Sequence, residues 1–242
     1  MKTVLLFALL FVFLGILLIP YAGLQADELI FAGPLHGAAN QIFATHLLHH
    51  VIPLMMMSYL GALKTFVYWP FFWISSASVY AVRFPMVLAG ALTIVIFYKW
   101  AGIFAGPRGA LLAAVLLATD PMFLLTDTFD WGPVALQHLL MVSGCFLIAR
   151  GRLSWGAFLF GVALWNKTIF SWTLMGLGLA ALLVFTQLSA PFSPTGAAGL
   201  PRSWRLLWEP FLCCILMKNM PIQPGETMLI FLLRASPLST RS

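Results

Sequence analysis

The sequence predicts an all-α protein: a polytopic transmembrane bundle of about six or seven spans with juxtamembrane helices on its outer side. Three observations carry that expectation. Hydrophobic residues make up 62% of the chain and charged residues only 8%, with a mean hydropathy of +0.98; an ordinary soluble domain carries about 25% charged residues. The apolar residues fall in runs long enough to cross about 30 Å of hydrocarbon, which takes roughly twenty residues in a helix. The few charges gather at the ends of those runs. A surface this apolar has no stable arrangement in water, so its solvent is a bilayer.

Five segments meet the length requirement, at about 3–20, 84–101, 109–126, 133–149 and 170–188. A sixth, about 154–169, is short and ends at Asn166 and Lys167. A seventh, near 206–217, is interrupted by Glu209 and Pro210. The stretch 53–74, PLMMMSYLGALKTFVYWPFFWI, is also apolar but carries Lys64 and a proline near each end. Its tyrosines and tryptophans suit a helix lying in the membrane interface. The first segment is retained as a span rather than cleaved as a signal peptide, because it is long, holds Pro20 and lacks a small-x-small site before Asp27. Residues 1–190 are read as one transmembrane domain, and 191–242 as a loop and atypical tail with at most one further span.

The loops set the orientation. With a cytoplasmic N-terminus, the inside holds Lys2, Lys99, Arg108, Arg150, Arg152, Arg202 and Arg205, against Lys64, Arg83 and Lys167 outside. That satisfies the positive-inside rule. Asp27, Glu28, Asp120, Asp127 and Asp130 then all fall on the outer side. The net charge of +6 is scattered between apolar segments, which excludes a nucleic-acid surface. The three cysteines lie in apolar stretches and read as small hydrophobes, not as a disulfide framework or metal site. Walker, Rossmann, zincin and GxSxG signatures are absent from the sequence.

The acids are the candidates for chemistry. Asp27 and Glu28 follow the first span directly, and a second cluster, ATDPMFLLTDTFDWGP, brings Asp120, Asp127 and Asp130 to the same side. A single acid here reads as a loop residue or a helix cap. Two clusters on one side suggest a shared polar pocket, since charge beside hydrocarbon is costly and tends to line a cavity. Such acids could supply a general base, or bind a divalent cation through oxygen. Arg83 is the natural counter-charge, for a phosphate or for an acid, with snorkelling at a helix end as the other reading. Lys64 and Lys167 read as snorkelling cations. HLLHH would put His46 and His50 on one helical face, a weak metal signature, and His138 reads as a satisfied polar group between helices.

The ordered set of the Asp-Glu pair, YLGALKTFVYWP, AVRFPMVLAG and TDTFDWGP resembles the polytopic GT-C glycosyltransferases. More narrowly, it is similar to the dolichyl-phosphate-mannose–protein mannosyltransferase (family 39) group and its bacterial relatives, which include the aminoarabinose transferases. The resemblance covers roughly residues 1–190. It implies that Asp27 is the catalytic base, that Glu28 positions it or the acceptor, and that Arg83 meets the donor phosphate. Asp127 and Asp130 would line the acceptor or metal region. The donor would be a polyprenyl-phosphate sugar and the acceptor a hydroxyl on a lipid, glycan or protein, in a bacterial plasma membrane with the site facing the periplasm or exterior. Members of the group usually have about eleven or more spans, so this chain is expected to be an N-terminal part, a truncated or frame-shifted product. Two other classes stay open on the residues alone: a transport subunit whose outer acids bind cations, and a non-catalytic membrane protein.

Overall fold

In the computed structural model, residues 1–37, 41–47, 50–75 and 78–189 are described, with side chains excepted at 47, 50 and 184–189. The tail from residue 190, with the 206–217 segment, lies outside them.

Helix α1 (Lys2–Leu18) states the solvent most clearly. Its buried residues, Val4, Ala8, Phe11 and Gly15, form one narrow stripe at helical spacing. Leu5, Leu6, Leu9, Phe13 and Leu17 on the remaining faces are exposed. A helix that is apolar all round yet buried along one stripe is a membrane helix packing on a bundle. Gly15 allows that packing to be close: a Cβ there would stand 2.7 Å from Val87 Cγ1 and 3.4 Å from Thr128 Oγ1.

Helix α4 (Val79–Thr119) is two helices broken at Gly106, whose φ of 67° and ψ of 177° are not helical. Glycine tolerates this conformation, and Pro107 after it starts the next helix without needing an N–H partner. The chain reverses here, since a Cβ on Gly102 would lie 3.7 Å from that of Ala110. The expected segments 84–101 and 109–126 fall on the two sides of this break. The second arm buries Ala110, Ala114 and Ala118, a face of small residues on which Ala114 and Ala118 pack with Val4, Ala8, Phe11, Val87, Ala91 and Ile94.

Helices α5 (Pro121–Phe129) and α6 (Val134–Ala149) are bent by 117° to each other. Helix α7 (Leu153–Asn166) returns antiparallel to α6, pressed close at Gly144 and Gly156, and α8 (Phe170–Ser189) follows. By length and composition, Lys2–Tyr21 and Val79–Thr119 are long and apolar enough to cross a membrane, and the bent α5–α6 pair makes a third candidate. The protein is membrane-associated and mostly helical.

It is not wholly helical. Strands β1 (Phe43–Leu47), β2 (His50–Met57) and β3 (Leu60–Gly61) form an antiparallel sheet in that order. The expected interfacial helix over 53–74 is therefore strand in its first part and helix only over α3 (Leu63–Ser75). Hairpin pairing places Leu47 opposite His50 and His46 opposite Val51, so His46 and His50 do not share a helical face. The sheet docks on the α7–α8 junction: Trp165 Nε1 donates to the Leu54 carbonyl at 3.0 Å and Thr168 N to that of Tyr59 at 3.0 Å. Gly61 sits against the Trp165 carbonyl, where a side chain would collide with backbone.

Candidate functional site

One end of the bundle collects the ionisable groups. Helix α2 (Ala26–Ala32) opens it, with Asp27 and Glu28 in its first turn. Consecutive helical residues point about 100° apart, and this separates the two acids completely. Glu28 turns inward and is 1% exposed. Its Oε1 accepts from Arg83 Nε at 2.7 Å and its Oε2 from Arg83 Nη2 at 2.9 Å, while Oε2 also accepts from Gln25 N at 2.8 Å.

The other N–H groups of Arg83 are occupied as well. Nη1 donates to the carbonyls of Ile19 and Ala22, both at 2.8 Å, and Nη2 to that of Gly23 at 2.7 Å. A guanidinium has five N–H donors, and all five are in use. Phe129 covers its face at 4.9 Å. The expected role of Arg83 on a donor phosphate is therefore not available in this arrangement. Arg83 is a buried strut that ties the exit of α1 to α2 and α4.

Lys64, expected to snorkel, is instead fully buried. Its Nζ lies 2.7 Å from Asp130 Oδ2 and donates to the carbonyls of Asp130 and Gly132, both at 3.2 Å. Phe31 and Tyr68 flank it at 5.1 and 5.6 Å from their ring centres. Asp130 has φ +40°, a left-handed conformation that aspartate tolerates better than most residues. From there its Oδ1 accepts from Val134 N at 2.7 Å and Ala135 N at 2.9 Å, capping the start of α6. Burial, and then the charges of Asp130 and Glu28, push the Tyr68 phenol well above its ordinary range, and its buried hydroxyl has no hydrogen-bond partner among the described residues.

Asp127 pairs with His138, Oδ1 to Nδ1 at 2.8 Å, which bears out His138 as a bonded polar group between helices. Its Oδ2 faces Gly90, where a Cβ would approach to 2.7 Å. Asp127 and Asp130 thus serve different partners. Among the described residues no three His, Cys, Asp or Glu side chains come together as a metal site. Asp120 accepts from Met122 N at 2.8 Å and caps α5.

Two charges are left. Asp27 and Lys167 are both half-buried, and among the described residues neither has a hydrogen bond or ion pair from its side chain. They converge on Gly132: a Cβ there would stand 3.4 Å from Lys167 Nζ and 4.0 Å from Asp27 Oδ2. Sequence reasoning had Asp27 but not Lys167 as a site residue. The asparagine before it was a usable signal, because buried Asn166 donates to the Pro133 carbonyl at 3.0 Å and to Gln137 Oε1 at 3.2 Å. That anchoring fixes the α7 terminus against the turn that carries Gly132.

No family model, curated protein or solved structure matches this chain.

Proposed function

We propose that the chain is a membrane glycosyltransferase of the GT-C type, moving a sugar from a polyprenyl-phosphate donor to an acceptor hydroxyl. The observation that carries this reading is the contrast at the polar end. Glu28, Asp127 and Asp130 are buried in specific pairs, whereas Asp27 is accessible and, among the described residues, unpaired beside a second unpaired charge. A carboxylate free to accept a proton, on a helix whose neighbour is locked, is what a general base requires.

In this mechanism Asp27 takes the proton of the acceptor hydroxyl as its oxygen attacks the anomeric carbon. The new glycosidic bond forms with inversion, and the bond from that carbon to the phosphate oxygen breaks. The electron pair leaves on polyprenyl phosphate. Glu28 acts on Asp27 indirectly, by fixing α2 through Arg83. The six or seven spans, the cytoplasmic N-terminus and a plasma-membrane location with the polar end outside belong to the same proposal, supported by the charge asymmetry of the loops. The cation-transport reading draws less support, because three of its acids are already held by protein partners.

The test is transfer of label from a panel of radiolabelled polyprenyl-phosphate sugars by membranes containing this chain. Transfer above that of membranes lacking the chain supports the reading, and transfer at the background level for every donor counts against it.

A further inference from the structure

The end of the bundle away from Asp27 and Glu28 carries charge of one sign. Helix α1 runs from Lys2 towards Ile19, whose carbonyl Arg83 holds. The first arm of α4 runs the other way, from Arg83 past Lys99 to the break at Gly106, and Arg108 follows the break. Helix α6 starts at the cap from Asp130 and ends just before Arg150, and α7 starts just after Arg152. Lys2, Lys99, Arg108, Arg150 and Arg152 therefore share this far end, and all are exposed. Among the described residues no acid accompanies them and none makes an ion pair. Aromatic residues mark their depth: Tyr98 and Trp100 flank Lys99, and exposed Trp155 lies just beyond Arg152 on α7. Tyrosine and tryptophan gather where hydrocarbon gives way to headgroups. The anions available to cations at that depth are the phosphodiesters of lipids.

Arg150 and Arg152 stand on a fixed backbone. The turn from α6 to α7 is closed by Arg150 N donating to the Phe146 carbonyl at 3.0 Å, Gly151 N to that of Ile148 at 2.9 Å and Arg152 N to that of Leu147 at 2.9 Å. Gly151 takes φ +77°, the left-handed conformation that ends a helix in this bonding pattern. The helices on either side are pressed together, since a Cβ on Gly156 would meet Ile148 Cγ1 and the Gly144 carbonyl. The turn itself is uncovered: nothing lies within 4 Å of where a Gly151 side chain would begin. The Arg150 guanidinium lies 5.5 Å from the centre of the Phe146 ring. Past Arg152, exposed Trp155 and Phe158 meet edge to face with ring centres 6.2 Å apart, an apolar surface directly below a pair of cations.

We propose that the α6–α7 turn binds an anionic phospholipid, with Arg150 and Arg152 on its phosphate and Trp155 and Phe158 along its acyl chain. A guanidinium suits phosphate because its planar fork donates two hydrogen bonds at once. A lipid of net negative charge is preferred to a zwitterionic one, whose own cation the surrounding basic residues repel. The proposal needs the helices to lie in a bilayer and is independent of the transferase reading.

The test uses the full chain purified in neutral detergent. It is incubated with equal amounts of phosphatidylglycerol and phosphatidylcholine bearing the same acyl chains, and the retained lipids are counted by native mass spectrometry. The wild type should retain phosphatidylglycerol over phosphatidylcholine by about fivefold or more. Arg150→Gln combined with Arg152→Gln should bring that ratio to within about twofold of unity, while Lys99→Gln combined with Arg108→Gln should leave most of it. Glycerol phosphate in excess should not displace the lipid, because it lacks the acyl chains; displacement would make the ligand a free phosphate and overturn the assignment to lipid. Equal retention of the two lipids by the wild type overturns the proposal. So does a wild-type ratio in the folded turn variant, or an equal fall in the Lys99–Arg108 variant. If the double turn variant does not fold, Arg150→Gln and Arg152→Gln are read singly, and a wild-type ratio in both overturns it. Because no sugar transfer is measured, a failed transfer assay and a failed lipid site are separate results.

Discussion

Arg83 grips Glu28 through two parallel hydrogen bonds, 2.7 and 2.9 Å long, across 55 residues of sequence. The pair is 0% and 1% exposed, so its charges have exchanged water for each other and for the carbonyls of Ile19, Ala22 and Gly23. Removing one partner of a buried pair leaves a bare charge and costs about 3–5 kcal/mol. Arg83→Met should therefore lower stability by that order, read as the thermal unfolding midpoint in detergent. Arg83→Lys should recover little, because an ammonium cannot reproduce the planar fork. The double variant Arg83→Met with Glu28→Met should be more stable than Arg83→Met alone.

Lys64 and Asp130 make a second test of the same physics. Lys64→Met leaves the Asp130 carboxylate buried, with its Oδ1 still capping α6. A loss of about 3–5 kcal/mol is expected. Adding Asp130→Asn should restore part of it, since the amide oxygen keeps the cap without the charge. An unchanged unfolding midpoint in Lys64→Met would mean that the lysine reaches water.

Gly90 tests the packing around Asp127. A methyl group there would meet Asp127 Oδ2 at 2.7 Å and the Phe11 ring at 2.8 Å, both held by neighbours. Gly90→Ala should cost about 1–3 kcal/mol by overpacking, although alanine favours the helix. A rise in the midpoint would show that α1 and α5 can separate without loss.

Tyr68 gives a prediction of opposite sign. Its hydroxyl is buried without a partner among the described residues, and an unsatisfied buried group carries an uncompensated desolvation cost. Tyr68→Phe should keep full stability or gain up to about 1 kcal/mol. A clear loss in the unfolding midpoint would point to a hydrogen bond through water.

The membrane character and the positions of the apolar segments were legible because span length and charge placement are fixed by the bilayer itself. The sheet was not. Pro53 and the run Met55–Met57 carry little strand signature, and the pairing that makes 50–61 extended comes from its contacts with Trp165 and Thr168, more than a hundred residues away. Asp27 was legible as an acid at a span exit. The division of labour between it and Glu28 was not, because which of two adjacent acids turns inward is set by the packing of α2, which brings Glu28 to Arg83. The sequence leaves Arg83 open to a phosphate, an acid or snorkelling, and its environment decides for the acid. Lys64 was read as snorkelling because a lone lysine in an apolar stretch gives no sign of a partner 66 residues ahead.

The most direct test of the account compares Asp27→Asn with Glu28→Gln in two measurements on the same preparations: thermal unfolding, and label transfer from a polyprenyl-phosphate sugar that the wild type uses. Asp27→Asn should unfold at the wild-type midpoint and lose transfer by about 10²–10⁴-fold, the range of a removed general base. Glu28→Gln should lower the midpoint. Wild-type transfer by Asp27→Asn would contradict the account and leave the unpaired carboxylate without a catalytic role.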